Sequence, residues 1–439
     1  MAKPLKLLIL NYYWPPAGGS GVQRCLKWAT LLPEMGIETV VLTVDADQAN
    51  YPLRDESMMK EVPDWLPVYR TSTLEPYGVY KRFAGKGKVP TAGFANESNP
   101  TRLQKFSRFI RGNLYVPDAR RGWNQFAIPK ALEIAAKHKV DAILTSSPPH
   151  STQLIARAVK RKTGLPWIAD LADAWTEIYW YPELRHLPFA KRKDAAYERS
   201  VMEESDAVVT ISDLLKEQFM AKAPGISDEK FTIIHNGYDE SDFNMPSRPP
   251  KDRFIITYTG TLADSYEPDI FWNVLKRMVE ENPDVAYTLR FVGDLSPGIK
   301  SHLKRLGLEA NVEYTGYVSH AEAVELMMAS TALLLIIPKF KADVGNLPGK
   351  IYEYLRAQKP IFNIGPPHGE SAKIIEECQA GKTFGRNQED ELYRYFFDLT
   401  RQWKNNPDLD ISLENAPYQK FSRLNETKQL AEIVKKITS

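Results

Sequence analysis

Two apolar runs, one near each end of the chain, stop at glycine and pass into a helical pattern. The first is Leu7-Leu8-Ile9-Leu10-Asn11-Tyr12-Tyr13-Trp14-Pro15-Pro16-Ala17-Gly18-Gly19-Ser20-Gly21, the second Phe254-Ile255-Ile256-Thr257-Tyr258-Thr259-Gly260-Thr261. Each reads as a buried strand ending in a backbone-permissive turn against a helix N-terminus, where unpaired amides can face an anion or a polar ligand. A chain that begins a doubly wound unit twice is expected to fold as two facing α/β domains with a ligand cleft between them.

The 439 residues suffice for two cores, and 43% hydrophobic with 26% charged residues is ordinary for a globular protein. No apolar run reaches the roughly 20 residues of a membrane span. The first strand leaves no room for a signal peptide, so a cytoplasmic protein is expected. Cys25 and Cys378 fall in separate expected domains, which argues against a disulfide framework or a thiolate metal site.

The net charge of +2 hides an uneven distribution. Between Lys81 and Arg121 stand ten basic residues (Lys81, Arg82, Lys86, Lys88, Arg102, Lys105, Arg108, Arg111, Arg120 and Arg121) against Glu97 and Asp118. Leu103, Phe106, Phe109, Ile110 and Leu114 recur there near helical spacing. The stretch reads either as a solvated face over a packed helix or as a contact with the inner face of an anionic membrane. Nucleic acid is not expected as a partner, because no recognition motif accompanies the charge.

Short apolar strands alternate with amphipathic helices in both halves, the pattern of parallel sheets covered on both faces. A loop-rich basic insertion, 46–122, interrupts the first half; Gly85, Gly87, Pro90, Gly93 and Pro100 mark it. His235-Asn236-Gly237-Tyr238-Asp239, followed by Met245-Pro246-Ser247-Arg248-Pro249-Pro250, marks a turn and linker. The expected domains are 1–240 and 241–416, with a final helix in 417–439 that packs on the second domain or crosses back to the first.

Several strand exits carry candidate site residues. Gly18 and Gly19 are expected among the nucleotide-sugar-binding residues, letting a donor phosphate or an acceptor approach the backbone, unless they only serve a turn that needs positive φ. His150 follows Ser146-Ser147-Pro148-Pro149 at a helix N-terminus, where it caps, packs or faces a ligand. Asp170 and Asp173, with Trp175 close by, bind acceptor hydroxyls or cap a turn. Pro348, Gly349 and Lys350 open a helix in a manner suited to a nucleotide diphosphate, and Glu353 one turn on can accept two hydroxyl hydrogen bonds, as from a ribose. Gly260, Thr261, Tyr317 and Val318, at strand exits of the same half, complete the expected nucleotide site.

These segments resemble the family 4 retaining glycosyltransferases of the GT-B fold over nearly the whole chain. The likeness rests on Tyr12 to Gly19, Ser146 to His150, Trp167-Ile168-Ala169-Asp170-Leu171-Ala172-Asp173-Ala174-Trp175, His235 to Asp239 and Pro348-Gly349-Lys350-Ile351-Tyr352-Glu353-Tyr354-Leu355. It implies two Rossmann-like domains, the first for the acceptor and the second for a nucleotide sugar, with UDP-sugar favoured. It also implies that His150 faces the donor sugar across the cleft and that Glu353 holds the ribose. Two departures stand out: Gly345 occupies the place of a first glutamate eight residues before Glu353, and Thr261-Leu262-Ala263-Asp264-Ser265 replaces the usual Arg and Lys. Lys350 is the candidate to supply that charge.

The expected reaction is transfer of a hexosyl or N-acetylhexosaminyl group from a nucleotide sugar to an acceptor hydroxyl. Retention and a setting in polysaccharide or lipid-linked glycan assembly follow from the resemblance. No metal or other cofactor is expected, since no cluster has metal-ligand spacing. A sugar-nucleotide epimerase of similar architecture and a catalytically silent nucleotide-binding scaffold are the alternatives.

Overall fold

The computed structural model describes residues 3–75, 102–178, 180–244, 247–266, 268–339, 345, 347–407 and 417–439. The chain divides into two compact units, Met1–Asn236 with Arg423–Ser439, and Gly237–Ser422.

The first unit is built on a parallel sheet of seven strands: β1 (Leu5–Leu10), β2 (Ile37–Val44), β3 (Val68–Thr71), β4 (Ala142–Ser147), β5 (Trp167–Leu171), β6 (Ala207–Thr210) and β7 (Phe231–Ile233). Their order is β3-β2-β1-β4-β5-β6-β7. Helices cover both faces of such a sheet, so its central strands are apolar throughout rather than alternating. Leu7, Leu8, Ile9 and Leu10 of β1 are fully buried. Strand order reverses between β1 and β4, and their carboxyl ends form the crevice that open α/β sheets use for ligands.

The second unit carries six parallel strands: β8 (Phe254–Thr259), β9 (Tyr287–Val292), β10 (Val312–Gly316), β11 (Ala332–Ile336), β12 (Ile361–Ile364) and β13 (Gly381–Phe384). The order β10-β9-β8-β11-β12-β13 repeats the scheme, with the reversal between β8 and β11.

The helix Arg423–Thr438 belongs to the first unit, where Leu430, Ala431 and Val434 join the core. The division does not fall after 240 and 416. Tyr238 and Phe421 are both buried in the second unit's core, and the Tyr238 amide donates to the Phe421 carbonyl at 3.0 Å. That pairing draws both connecting segments into the second unit, so the chain leaves the first unit at Asn236 and returns at Arg423.

The insertion contains more structure than its glycines and prolines suggest. It includes β3 and the helix Arg102–Leu114. Lys81, Arg82, Lys86, Lys88, Glu97 and its marker glycines and prolines lie outside the described residues, as do Met245 and Pro246 of the linker. A face of that helix presenting Arg108 and Arg111 to solvent is not what the structure has. Arg108 is buried and donates to Glu183 at 2.8 Å, while the Arg111 guanidinium lies 5.8 Å from the Trp180 ring centre.

Candidate active site

A cavity of about 450 Å³ opens in the first unit at the β1/β4 reversal. Gly18 and Gly19 line it on one side, His150 and Asp173 on another. Gly19 has φ +112°, and a Cβ on Gly18 would meet the Leu53 side chain at 3.0 Å. The two glycines therefore serve the turn and its packing as well as the cavity wall.

His150 stands at the N-cap of the helix Ser151–Thr163. Asp118 fixes that helix start, accepting from the Ser151 amide at 2.7 Å and the Ser151 hydroxyl at 2.8 Å. The imidazole stacks on the Trp175 indole at 4.4 Å with an 11° interplanar angle, and Nδ1 lies 3.3 Å from Ser147 Oγ. Burial pushes His150 down to about 4, so it is neutral at pH 7 and carries one donor and one acceptor nitrogen. Trp175 is held from behind: its indole N–H donates to Asp194 at 2.7 Å, and Tyr181 donates its hydroxyl to the same carboxyl at 2.9 Å.

The acceptor role expected for Asp170 needs correction. Asp170 is fully buried and paired with Arg24, Nη2 to Oδ1 at 3.0 Å, and Ser146 donates to its Oδ2 at 2.6 Å. Arg24 also donates to the Ile234 carbonyl at 2.8 Å. An acceptor hydroxyl could reach Asp170 only by breaking a buried ion pair. Trp175 is nearly fully buried, acting as the platform under His150. Asp173 remains at the cavity surface, and desolvation, then the Asp170 charge, push its carboxyl up to about 7.

Asp118, Tyr181 and Asp194 line this cavity and were missed by sequence reasoning. Asp194 follows Lys191-Arg192-Lys193, a context that reads as a solvated helix face. Asp118 carried a weak signal, as one of two acids in the basic stretch.

In the second unit, Gly260, Gly293 and Gly316 take φ of +96°, +126° and +73° at the carboxyl ends of β8, β9 and β10. The Gly293 amide donates to the Gly316 carbonyl at 2.8 Å, and a Cβ on Gly293 would stand 2.6 Å from the Gly260 oxygen. The result is an edge without side chains where a ligand can lie on the backbone. Thr261 follows it, exposed. The helix Lys350–Ala357 begins after Pro348 and Gly349, and Lys350 Nζ donates to the Thr259 carbonyl at 2.5 Å, 3.9 Å from the Tyr258 ring centre. Burial lowers the Lys350 amine to about 7, partly opposed by Glu353. Glu353 Oε1 is bonded to His320 Nε2 at 2.9 Å. Sequence reasoning missed His320, although it stands three residues after the exposed Tyr317 and two after the half-buried Val318.

Gly260, Thr261, Tyr317, Val318, Pro348, Gly349, Lys350 and Glu353 thus lie on the second unit, and Gly18, Gly19, His150, Asp170, Asp173 and Trp175 on the first. Among the described residues, no three His, Cys, Asp or Glu side chains converge as a metal site would require.

Residues 19–237 match the model of the glycosyl transferase 4-like domain. No curated protein matches the chain. Among solved structures, the chain is similar to Anabaena Alr3699/HepE in complex with UDP, with a TM-score of 0.64 at 15% identity over 98% of this chain and 100% of that one. It is similar to the lipopolysaccharide outer core galactosyltransferase WaaB in its apo form, with a TM-score of 0.58 at 14% identity over 98% and 100%. A variant of S. aureus TarM, in complex with fondaparinux, alpha-GlcNAc-glycerol and UDP, gives a TM-score of 0.60 at 9% identity over 98% and 99%. The fold is GT-B, two doubly wound parallel-sheet domains. Family match and fold together support a GT-B glycosyltransferase.

Proposed function

We propose that the protein transfers a hexosyl or N-acetylhexosaminyl group from a nucleotide sugar to an acceptor hydroxyl with retention, in polysaccharide or lipid-linked glycan assembly. The observation that carries the reading is the second unit's β8/β11 edge, where the Lys350 amine sits on the Thr259 carbonyl beside Gly260 and Glu353 follows one helical turn later. A diphosphate laid against Gly260 meets the lysine and the helix start, and Glu353 meets the ribose. UDP is the favoured nucleotide, because the similar Alr3699/HepE was crystallised with it.

The leaving diphosphate gains negative charge as the glycosidic bond breaks. Lys350 and the helix amides stabilise that charge, the work assigned elsewhere in the fold to an Arg and a Lys or in other enzymes to a metal. Neutral His150 offers a hydrogen bond to a sugar hydroxyl. The first unit's cavity takes the acceptor, with Gly18, Gly19 and Asp173 in its wall.

The test is a panel of nucleotide sugars incubated with candidate glycan and lipid-linked acceptors, read as nucleoside diphosphate release and as label transferred to acceptor. Acceptor-dependent release is expected. Epimerisation of a free nucleotide sugar without acceptor would replace this reading with the epimerase one.

A further inference from the structure

The helix Arg102–Leu114 lies against the segment that opens the helix Pro188–Glu204. Asn113 Oδ1 accepts from the Leu187 amide at 2.6 Å, Asn113 Nδ2 donates to the Arg185 carbonyl at 3.3 Å, and a Cβ on Gly112 would meet Leu184 at 2.8 Å. From this tight junction four large apolar side chains point outward: Phe106 at 61% exposure, Leu114 at 66%, Leu187 at 40% and Phe189 at 51%. Exposed Arg102, Lys105, Arg185, Lys191, Arg192 and Lys193 accompany them, and neither 102–114 nor 185–193 contains an Asp or a Glu. On the inner side of the same junction, Arg111 and Leu184 line the first unit's cavity.

We propose that this face docks on an anionic lipid bilayer, with the apolar side chains entering the headgroup region and the flanking cations meeting lipid phosphate. Apolar residues flanked mainly by cations, with Glu183 the one acid beside them and engaged by Arg108, match the interface of an anionic leaflet in both hydrophobicity and sign. Docking there sets the mouth of the cavity beside the headgroups. The cations that serve it include Lys191, Arg192 and Lys193; Arg108 and Arg111, engaged with Glu183 and Trp180, do not.

The full chain is to be sedimented with vesicles of phosphatidylcholine alone or with about one third phosphatidylglycerol, at about 0.1 M and about 0.5 M salt. Binding is expected only to the anionic vesicles, reduced by salt, and weakened at least about tenfold in the triple variant Lys191→Glu, Arg192→Glu, Lys193→Glu. The double variant Phe106→Ser, Phe189→Ser should lose binding that persists at the higher salt. Every substituted side chain is exposed, and an unchanged melting temperature separates lost docking from lost fold. Equal binding to neutral vesicles, no binding to either, or wild-type binding by both variants overturns the proposal. Since no nucleotide is present, this result is independent of the transfer reading.

Discussion

The His150 imidazole lies flat on the Trp175 indole, ring centres 4.4 Å apart, and Trp175 is in turn anchored to the buried Asp194. The stack explains how a side chain at a helix N-terminus is kept in one orientation while its edge faces the cavity. It also keeps the ring neutral, since burial lowers His150 to about 4.

His150→Ala should slow transfer by about tenfold or more while leaving UDP affinity unchanged, because the residues proposed to hold UDP, Gly260, Lys350 and Glu353, belong to the second unit. Comparing kcat with the UDP dissociation constant checks this. Tenfold weaker UDP binding would show the residue to be placed wrongly.

The same depressed pKa has a stability consequence. Between the unfolded value of 6.5 and the folded value of about 4, the unfolded chain binds the extra proton, so His150 contributes stability above pH 6.5 that is lost as pH falls towards 4. His150→Gln should flatten that part of the acid stability profile in urea melts. An identical profile would place the imidazole in solvent.

Asp170 carries a prediction of the opposite kind. Asp170→Ala leaves the buried Arg24 unpaired and should cost about 3 to 5 kcal/mol in the first unit's unfolding. Any acceptor effect should appear only through that loss, whereas Asp173→Asn, at the cavity surface, should raise the acceptor KM with an unchanged melting temperature. The converse pattern would restore Asp170 as an acceptor ligand.

The two doubly wound sheets were legible because the opening strand of each is buried and largely apolar and leads into a glycine turn, as at Leu7 to Gly19 and Phe254 to Gly260. β3, β7 and β13 were not. They are edge strands of three or four residues, half-exposed, and Gly381-Lys382-Thr383-Phe384 has one apolar side chain in four. The candidate site was legible where a backbone need marks it, as at Gly260 or Pro348-Gly349-Lys350. It was not where tertiary packing pairs distant groups: nothing local to Asp170 announces Arg24, nor does anything local to Glu353 announce His320.

Lys350 provides a pH signature. Its amine, lowered to about 7 by burial, is protonated below that value, and a diphosphate prefers the ammonium. UDP affinity should therefore fall as pH rises from about 7.5 to about 9, by up to about tenfold per unit, and the slope should vanish in Lys350→Met. In transfer assays Lys350→Ala should lose about a hundredfold to a thousandfold in rate.

The most direct measurement is calorimetric titration of UDP into wild type, Lys350→Ala, Glu353→Ala and His150→Ala. Glu353 accepts hydroxyl hydrogen bonds as a carboxylate, so its loss should weaken binding about tenfold to a hundredfold, Lys350→Ala should weaken it at least as much, and His150→Ala should bind as wild type does. Failure of the wild-type protein to bind UDP or any other nucleoside diphosphate, or equal affinity in all four proteins, would contradict a donor site at Gly260, Lys350 and Glu353.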